Sequence, residues 1–388
     1  MLFSDISILA PDFTIQEHQY VAVQGEAIRY VGSTRPQGDF GPVYEGKEKL
    51  LLPGLVNTHS HSPMTLLRGY AENLPLDRWL NEKVFPFEDR IQGEDAYYAV
   101  LLSIAEILRT GTTSFSDMYF FSENVAKAVG DSGIKCNFSR SIVSFEDGDI
   151  HSLPSFQESE AMIRQYHGAF EGRFLMDMSL HAEYTNRFSI MEQFAQAAKD
   201  HNLRVQIHLS ETKKEHEECK QRHGGLTPAQ VFAKAGVLDQ PTVAAHCVWV
   251  EDRDMELMAE KGVTVATCPA SNLKLGSGVC NLPELRKHGV KIAIGTDSAA
   301  SNNNLNLWKE LYLAALLPKG ITHDPTAVTP QQVLEMATVQ GYASQGRMDC
   351  GKIQTGYRAD LTVLDLSGPH MTPATDLLNN LIYAVNGF

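Results

Sequence analysis

Two histidines two residues apart, His59 and His61, follow the apolar run Leu51-Leu52-Pro53-Gly54-Leu55-Val56. On a β-strand, positions i and i+2 face the same side. The two imidazoles therefore converge at the strand's end, as a metal ion requires. More residues able to do chemistry recur at the ends of later strand-like runs: Arg140, His181, His208 with Glu211 three residues on, His246, and Asp297 within Gly295-Thr296-Asp297-Ser298. Of 14 histidines, five at such positions exceed a random scatter. Taken singly, a strand-end histidine is more often a hydrogen-bonded packing residue, and a Gly-Thr-Asp is often a turn or helix cap. Convergence is what favours chemistry. Three neutral imidazoles and one carboxylate form an N3O set suited to Zn²⁺, Fe²⁺ or Mn²⁺ rather than Ca²⁺. His59, His61, His208 and Asp297 are assigned as its ligands. A second ion would need a bridging lysine or carboxylate on the fourth strand. The run 174–181 has no lysine, so one metal is expected.

The elements that must carry these residues alternate. Apolar strand candidates end near Thr58, Asp117, Ile142, His181, His208, His246, Cys268 and Asp297, separated by helical stretches such as 94–109, 188–201, 228–235 and 253–260. Eight such units in about 250 residues predict an α/β fold of the (β/α)8 type, with its site at the C-terminal ends of the strands. No G-x-G-x-x-G follows any strand, which disfavours a dinucleotide-binding doubly wound sheet. Residues 1–50 instead read as short alternating strands (5–9, 19–23, 27–31) broken by turns. After a helix at 329–345, residues 359–364 read as a strand returning to that sheet. The predicted division is a small β domain from both termini (1–50 and 347–388) around a barrel at 51–346.

The composition narrows the partners. Lys plus Arg is 33 against 47 Asp plus Glu, a formal charge of −14 in 388 residues. So acidic a chain repels phosphate backbones, which argues against nucleic acid or an anionic membrane. The six cysteines are scattered, with no C-x-x-C, and read as reduced residues of a cytosolic protein. The N-terminus lacks a basic leader region, and no apolar run approaches the roughly 18 residues of a membrane helix. The expectation is a soluble cytoplasmic protein with a small-molecule substrate. Self-association as a homo-oligomer stays open.

The motifs PGLVNTHSH, GTTSFSDMY, HLSET, AAHCVWV, CPASNLKLGSG and GTDSAASNNNLNLWKE together resemble the amidohydrolase superfamily over nearly the whole chain. Within it, the resemblance is to the 5-methylthioadenosine/S-adenosylhomocysteine deaminases and their chlorohydrolase relatives. It implies a (β/α)8 TIM-type barrel with a small flanking β-sandwich and one zinc per chain on the four ligands above, iron being accepted by the same set. It further implies that Glu88 grips the ribose hydroxyls, His181 contacts the nucleoside, and Glu211 protonates the purine ring nitrogen. His246 would orient the attacking hydroxide, Asp297 would accept its proton, and Arg140 would meet the amino-acid carboxylate of S-adenosylhomocysteine. The implied reaction is hydrolytic deamination of a 5′-substituted adenosine. Rivals are an enzyme acting on another aminated or halogenated heterocycle (guanine, a pterin, a triazine) and a non-catalytic scaffold. The H-x-E…P-C-x-x-C zinc site of nucleic-acid deaminases is not matched by Cys268-Pro269-Ala270-Ser271.

Two features depart from the resemblance. Some relatives place a second arginine after the third strand, whereas 145–156 holds only acids and His151. That weakens the case for use of the homocysteine carboxylate and keeps methylthioadenosine or 5′-deoxyadenosine as expected substrates beside S-adenosylhomocysteine. Relatives also continue beyond Gly387-Phe388, which implies a truncated small domain. Trp79 fits either a 5′-substituent pocket or a packing role.

Overall fold

In the computed structural model, which describes residues 1–387, fifteen strands form two sheets. β1 (Leu2–Leu9), β2 (Ile15–Gln24), β3 (Ala27–Gly32), β4 (Val43–Glu45) and β5 (Lys49–Pro53) belong to the small domain. The barrel strands are β6 (Leu55–Ser60), β7 (Thr112–Tyr119), β8 (Lys135–Ile142), β9 (Phe174–Met176), β10 (Met178–Leu180), β11 (Val205–Leu209), β12 (Thr242–His246), β13 (Thr264–Thr267) and β14 (Lys291–Ile294). β15 (Leu361–Asp365) returns to the first sheet.

The barrel runs in parallel order from β6 to β14. Its fourth stave is split: β9 and β10 both pair with β8, interrupted at Asp177. Asn137 Nδ2 and Gln206 Nε2 donate to the Asp177 carboxylate inside the barrel, at 3.1 and 2.9 Å. The circle closes between β14 and β6. The Thr58 hydroxyl donates to the Ile294 carbonyl at 2.8 Å, and the Asp297 N–H donates to the His59 carbonyl at 3.0 Å. Gly295 permits that approach, because a Cβ there would lie 2.8 Å from the His59 backbone nitrogen and oxygen.

Helices follow the expected period. Gly93–Arg109 buries Ala96, Ala99, Val100, Ser103, Ile104 and Ile107, an i, i+3, i+4, i+7 stripe. Phe188–His201 has the bounds expected from sequence. The helix expected at 329–345 is two helices, Pro330–Ala337 and Val339–Ser344. They break at Thr338 (φ −123°, ψ −94°), whose hydroxyl donates to the Leu334 carbonyl at 2.7 Å.

The small domain draws on both ends of the chain, as expected, and its six strands form one sheet. β15 pairs antiparallel with β5, from Leu361 opposite Pro53 to Asp365 opposite Lys49. Beyond Asp365 the chain leaves this sheet. Helix Leu377–Tyr383 buries Leu381 and Ile382 in the same apolar cluster as helices Leu307–Thr322 and Pro330–Ala337 of the barrel. Residues 366–387 lie outside the strands of this sheet, and the helix within them packs on helices Leu307–Thr322 and Pro330–Ala337. No helix among the described residues is long and apolar enough to cross a membrane.

Candidate metal centre and active site

The strand ends bring His59, His61 and His208 together, one ring nitrogen from each lying within 4.8 Å of the others. His61 Nε2 and His208 Nε2 are 3.3 Å apart, and Asp297 Oδ1 lies 3.3 Å from His61 Nε2 and 3.8 Å from His59 Nε2. Backbone carbonyls fix the tautomers. His61 Nδ1 donates to the Met118 carbonyl at 2.5 Å, and His208 Nδ1 donates to the His181 carbonyl at 2.7 Å. In the neutral rings this leaves a lone pair on each Nε2, and two lone pairs face one another across 3.3 Å. His59 Nε2 is buried with no hydrogen-bond partner. Such an arrangement costs free energy unless a cation sits between the rings. Tetrahedral zinc with Zn–N of about 2.0–2.1 Å has ligand–ligand edges of about 3.3 Å. The donor set fits that ion.

Charge and burial agree with this. Burial, then the neighbouring His61, drives His59 well below the ordinary imidazole range. Burial, then His181, does the same to His208. Both rings are neutral, as ligands must be. Burial pushes the Asp297 carboxyl up, but His61, His246, His59 and the Ser271 hydroxyl outweigh it and bring it to about 2. Ser271 and Ser301 hydroxyls donate to Asp297 Oδ2 at 2.5 and 2.9 Å, which leaves Oδ1 for the histidines. Asp297 (φ +58°), His246 (+71°) and Ser210 (+47°) are left-handed non-glycine residues at strand ends. Backbone strain of this kind concentrates at functional sites.

A cavity of about 800 Å³ opens above the cluster. Its wall includes Glu88, Arg140, His181, Glu211 and His246, so every sequence-assigned substrate or catalytic residue reaches one space. His246 Nε2 lies 3.8 Å from Glu211 Oε2, and Asn272 Oδ1 accepts from His246 Nδ1 at 2.9 Å. Burial raises the Glu211 carboxyl above its usual range, and Ser277 donates to its Oε1 at 3.3 Å. Burial, then His61, lowers His181 to about 4, so its ring is neutral near pH 7. The Tyr119 hydroxyl donates to Glu88 Oε1 at 2.5 Å. Arg140 is already engaged: its Nε donates to Glu158 Oε2 at 2.6 Å, and its Nη1 to the Ser141 carbonyl at 2.8 Å. Trp79 lines the cavity yet is buried, its Nε1 donating to the Ala71 carbonyl at 3.3 Å. The packing role considered for it holds. Asp177, the carboxylate of the fourth stave, is absent from the cavity wall and bonded to amides.

Sequence reasoning passed over the residues that hold these groups: Asn272, Ser271, Ser301, Ser277, Tyr119 and Glu215. Glu215 accepts the Ser210 and Glu211 backbone N–H groups, both at 2.8 Å, and so fixes the loop carrying Glu211. Asn272 and Ser271 lie in the quoted CPASN segment, and Ser301 in GTDSAASNNN. Their signal was present, but their partners are 26 and 4 residues away and declare themselves only in three dimensions.

The profile of the amidohydrolase family matches residues 50–386. A 5-methylthioadenosine/S-adenosylhomocysteine deaminase of Dictyoglomus thermophilum is 39% identical over 386 residues, 100% of this chain and 89% of that protein. A 5′-deoxyadenosine deaminase of Methanothermobacter thermautotrophicus is 40% identical over 368 residues, 95% of this chain and 85% of that protein. The crystal structure of an adenosine deaminase from Xanthomonas campestris with bound zinc superposes with a TM-score of 0.92 at 32% identity, covering 100% of this chain and 89% of that one. The chain belongs to the amidohydrolase family.

Proposed function

We infer that this protein is a metal-dependent hydrolytic deaminase of 5′-substituted adenosines, which takes up water and yields the inosine analogue and ammonia. The placement of Glu211 and His246 beside the three-histidine cluster, on one cavity large enough for a nucleoside, carries this reading. The names of the relatives about 40% identical to it point the same way.

His59, His61, His208 and Asp297 hold a single ion, zinc or iron, and iron meets the same ligand set. When bound, that ion supplies the Lewis acidity that lowers the pKa of water to about 7. The chain supplies the proton traffic. Asp297, ionised at neutral pH, accepts the proton of the attacking water on its carboxylate. His246, with Nδ1 anchored on Asn272, presents Nε2 toward the reacting carbon. Glu211, whose carboxyl is raised by burial, delivers a proton to the purine ring nitrogen as the carbon becomes tetrahedral. Proton return to the exocyclic nitrogen then expels ammonia. Glu88 grips the ribose hydroxyls and His181 contacts the nucleoside, and both orient it through hydrogen bonds. The small, uncharged ring system suits a chain of net charge −14 better than a polyanion does.

The test is the adenine-to-hypoxanthine absorbance change with zinc-loaded protein on adenosine, methylthioadenosine and 5′-deoxyadenosine, with guanine and a triazine as controls. Turnover of the nucleosides alone supports the reading. Turnover of guanine or the triazine alone, or of nothing, removes it.

A further inference from the structure

Asp117, near the end of β7, is a fully buried carboxylate with no part in the proton traffic of the deamination. Its hydrogen bonds go to the residues on either side of His61. Oδ1 accepts the Ser62 N–H at 2.7 Å, and Oδ2 accepts the Ser62 hydroxyl. The Ser60 hydroxyl lies 3.3 Å from Oδ1 while donating to the Ser116 carbonyl at 2.7 Å. Met118, the next residue on β7, holds the His61 ring through its carbonyl. The three histidines of the centre are not equally supported. His59 lies within β6 and His208 within β11, where the ladder of backbone bonds fixes each residue. His61 lies one residue beyond β6, before the 3₁₀ turn Ser62–Leu67, with φ −131° and ψ 77°. The pairing of β6 with β7 ends at Ser60 opposite Asp117, so the ladder stops one residue short of His61. A metal ligand must be held within about 0.5 Å of its working position.

Resting on the reading of His59, His61, His208 and Asp297 as metal ligands, we propose that Asp117 is a positioning residue for the metal centre. By clamping Ser60 and Ser62 it takes over where the sheet ends and holds the His61 imidazole against its companions. Asp117 bonds none of the four ligand side chains and acts only through the backbone that carries His61. Partners that orient metal ligands in this way typically contribute about 10- to 100-fold to metal affinity.

The experiment measures the zinc dissociation constant by chelator competition and the visible spectrum of the cobalt-substituted protein, which reports the geometry around the ion. The proteins are the wild type, Asp117→Ala, Asp117→Asn, Ser62→Ala and Asp254→Asn. Asp254 is a control, a buried carboxylate on helix Asp252–Glu260 that accepts the Thr227 hydroxyl at 2.5 Å. Asp117→Ala should weaken zinc binding by about 10- to 100-fold and change the cobalt spectrum. Asp117→Asn keeps an oxygen for the Ser62 N–H, and the Ser62 hydroxyl can turn to accept from its amide, so most of the affinity should return. Ser62→Ala removes one bond of the clamp and should weaken zinc by a smaller factor. Asp254→Asn should lower the unfolding midpoint and leave the zinc constant unchanged. Wild-type affinity in Asp117→Ala or, where that variant does not fold, in Ser62→Ala overturns the proposal. A loss in Asp117→Asn as large as in Asp117→Ala also overturns it, by tracing the effect to charge. An equal loss in Asp254→Asn does the same, by tracing it to stability. A wild type that binds neither zinc, iron nor cobalt would instead remove the metal reading, and this inference with it.

Discussion

Two clusters in this molecule gather the residue types that bind metals, yet they are built on opposite electrostatic plans. At the barrel mouth, His59, His61 and His208 bring ring nitrogens within 4.8 Å of one another, with Asp297 Oδ1 3.3 Å from His61 Nε2. Under the loop after β10, Glu183, Cys219 and His223 also lie within 4.8 Å of one another. There, however, Glu183 is fully engaged. Arg222 Nη2 donates to its Oε2 at 2.5 Å, and His223 Nε2 meets its Oε1 at 2.8 Å. Burial, then Glu183 itself, raises the Cys219 thiol far above its usual range, so no thiolate is offered. The first cluster leaves the buried His59 Nε2 without a hydrogen-bond partner. The second already contains its cation. Proximity of ligand-type residues is common to both, and what separates them is whether the lone pairs are spent.

The comparison can be broken most directly by metal analysis. Replacing His61 with Ala or Asp297 with Asn should empty the centre and lower kcat by on the order of 10³-fold, since a bound ion contributes several kcal/mol to the transition state. Cys219→Ser should leave both metal content and turnover at wild-type values. Loss of metal from the Cys219 variant would erase the distinction.

A smaller effect probes the second cluster alone. Arg222→Met strands a buried carboxylate beside one imidazole, and urea unfolding should show a loss of about 1–3 kcal/mol, below that of a fully buried pair because Arg222 is partly exposed. Metal per chain should not change. An unchanged midpoint would mean that the guanidinium does not balance Glu183.

A pH-dependent effect contrasts Glu183 with a buried carboxyl that has only neutral hydrogen-bond partners. Glu310 accepts from the Ala270 N–H at 3.0 Å and from Asn302 Nδ2 at 2.8 Å, and burial pushes its carboxyl from 4.5 to about 7. The folded state therefore retains a proton that the unfolded chain releases. Its contribution to stability is present below about pH 4.5 and lost as pH rises to about 7. Glu310→Gln should consequently lose less stability than the wild type between pH 5 and pH 8. Parallel pH curves for the two proteins would show that Glu310 is ionised throughout.

Much of the barrel was legible because its signals are local. The i, i+2 spacing of His59 and His61, the strand–helix alternation and the bounds of Phe188–His201 depend on side-chain periods of two and 3.6, which a linear chain displays. The break at Thr338 was not, because that residue carries no glycine or proline signal. Nor was the departure of residues 366–387 from the small sheet, since an apolar helix face does not say which surface it will meet.

The sequence by itself determined the donor types of the centre, their order on successive strands, the acidic balance of the chain and the family to which it belongs. The tertiary structure decided which lone pairs were spent. It gave Asn272 to His246, Ser271 and Ser301 to Asp297, Arg222 to Glu183 and Glu158 to Arg140. Those pairings lie 4 to 39 residues apart in the chain. The reason is physical. A residue's type and spacing are written along the chain, whereas desolvation and the identity of a hydrogen-bond partner exist only once the strands have closed and the loops have met above them.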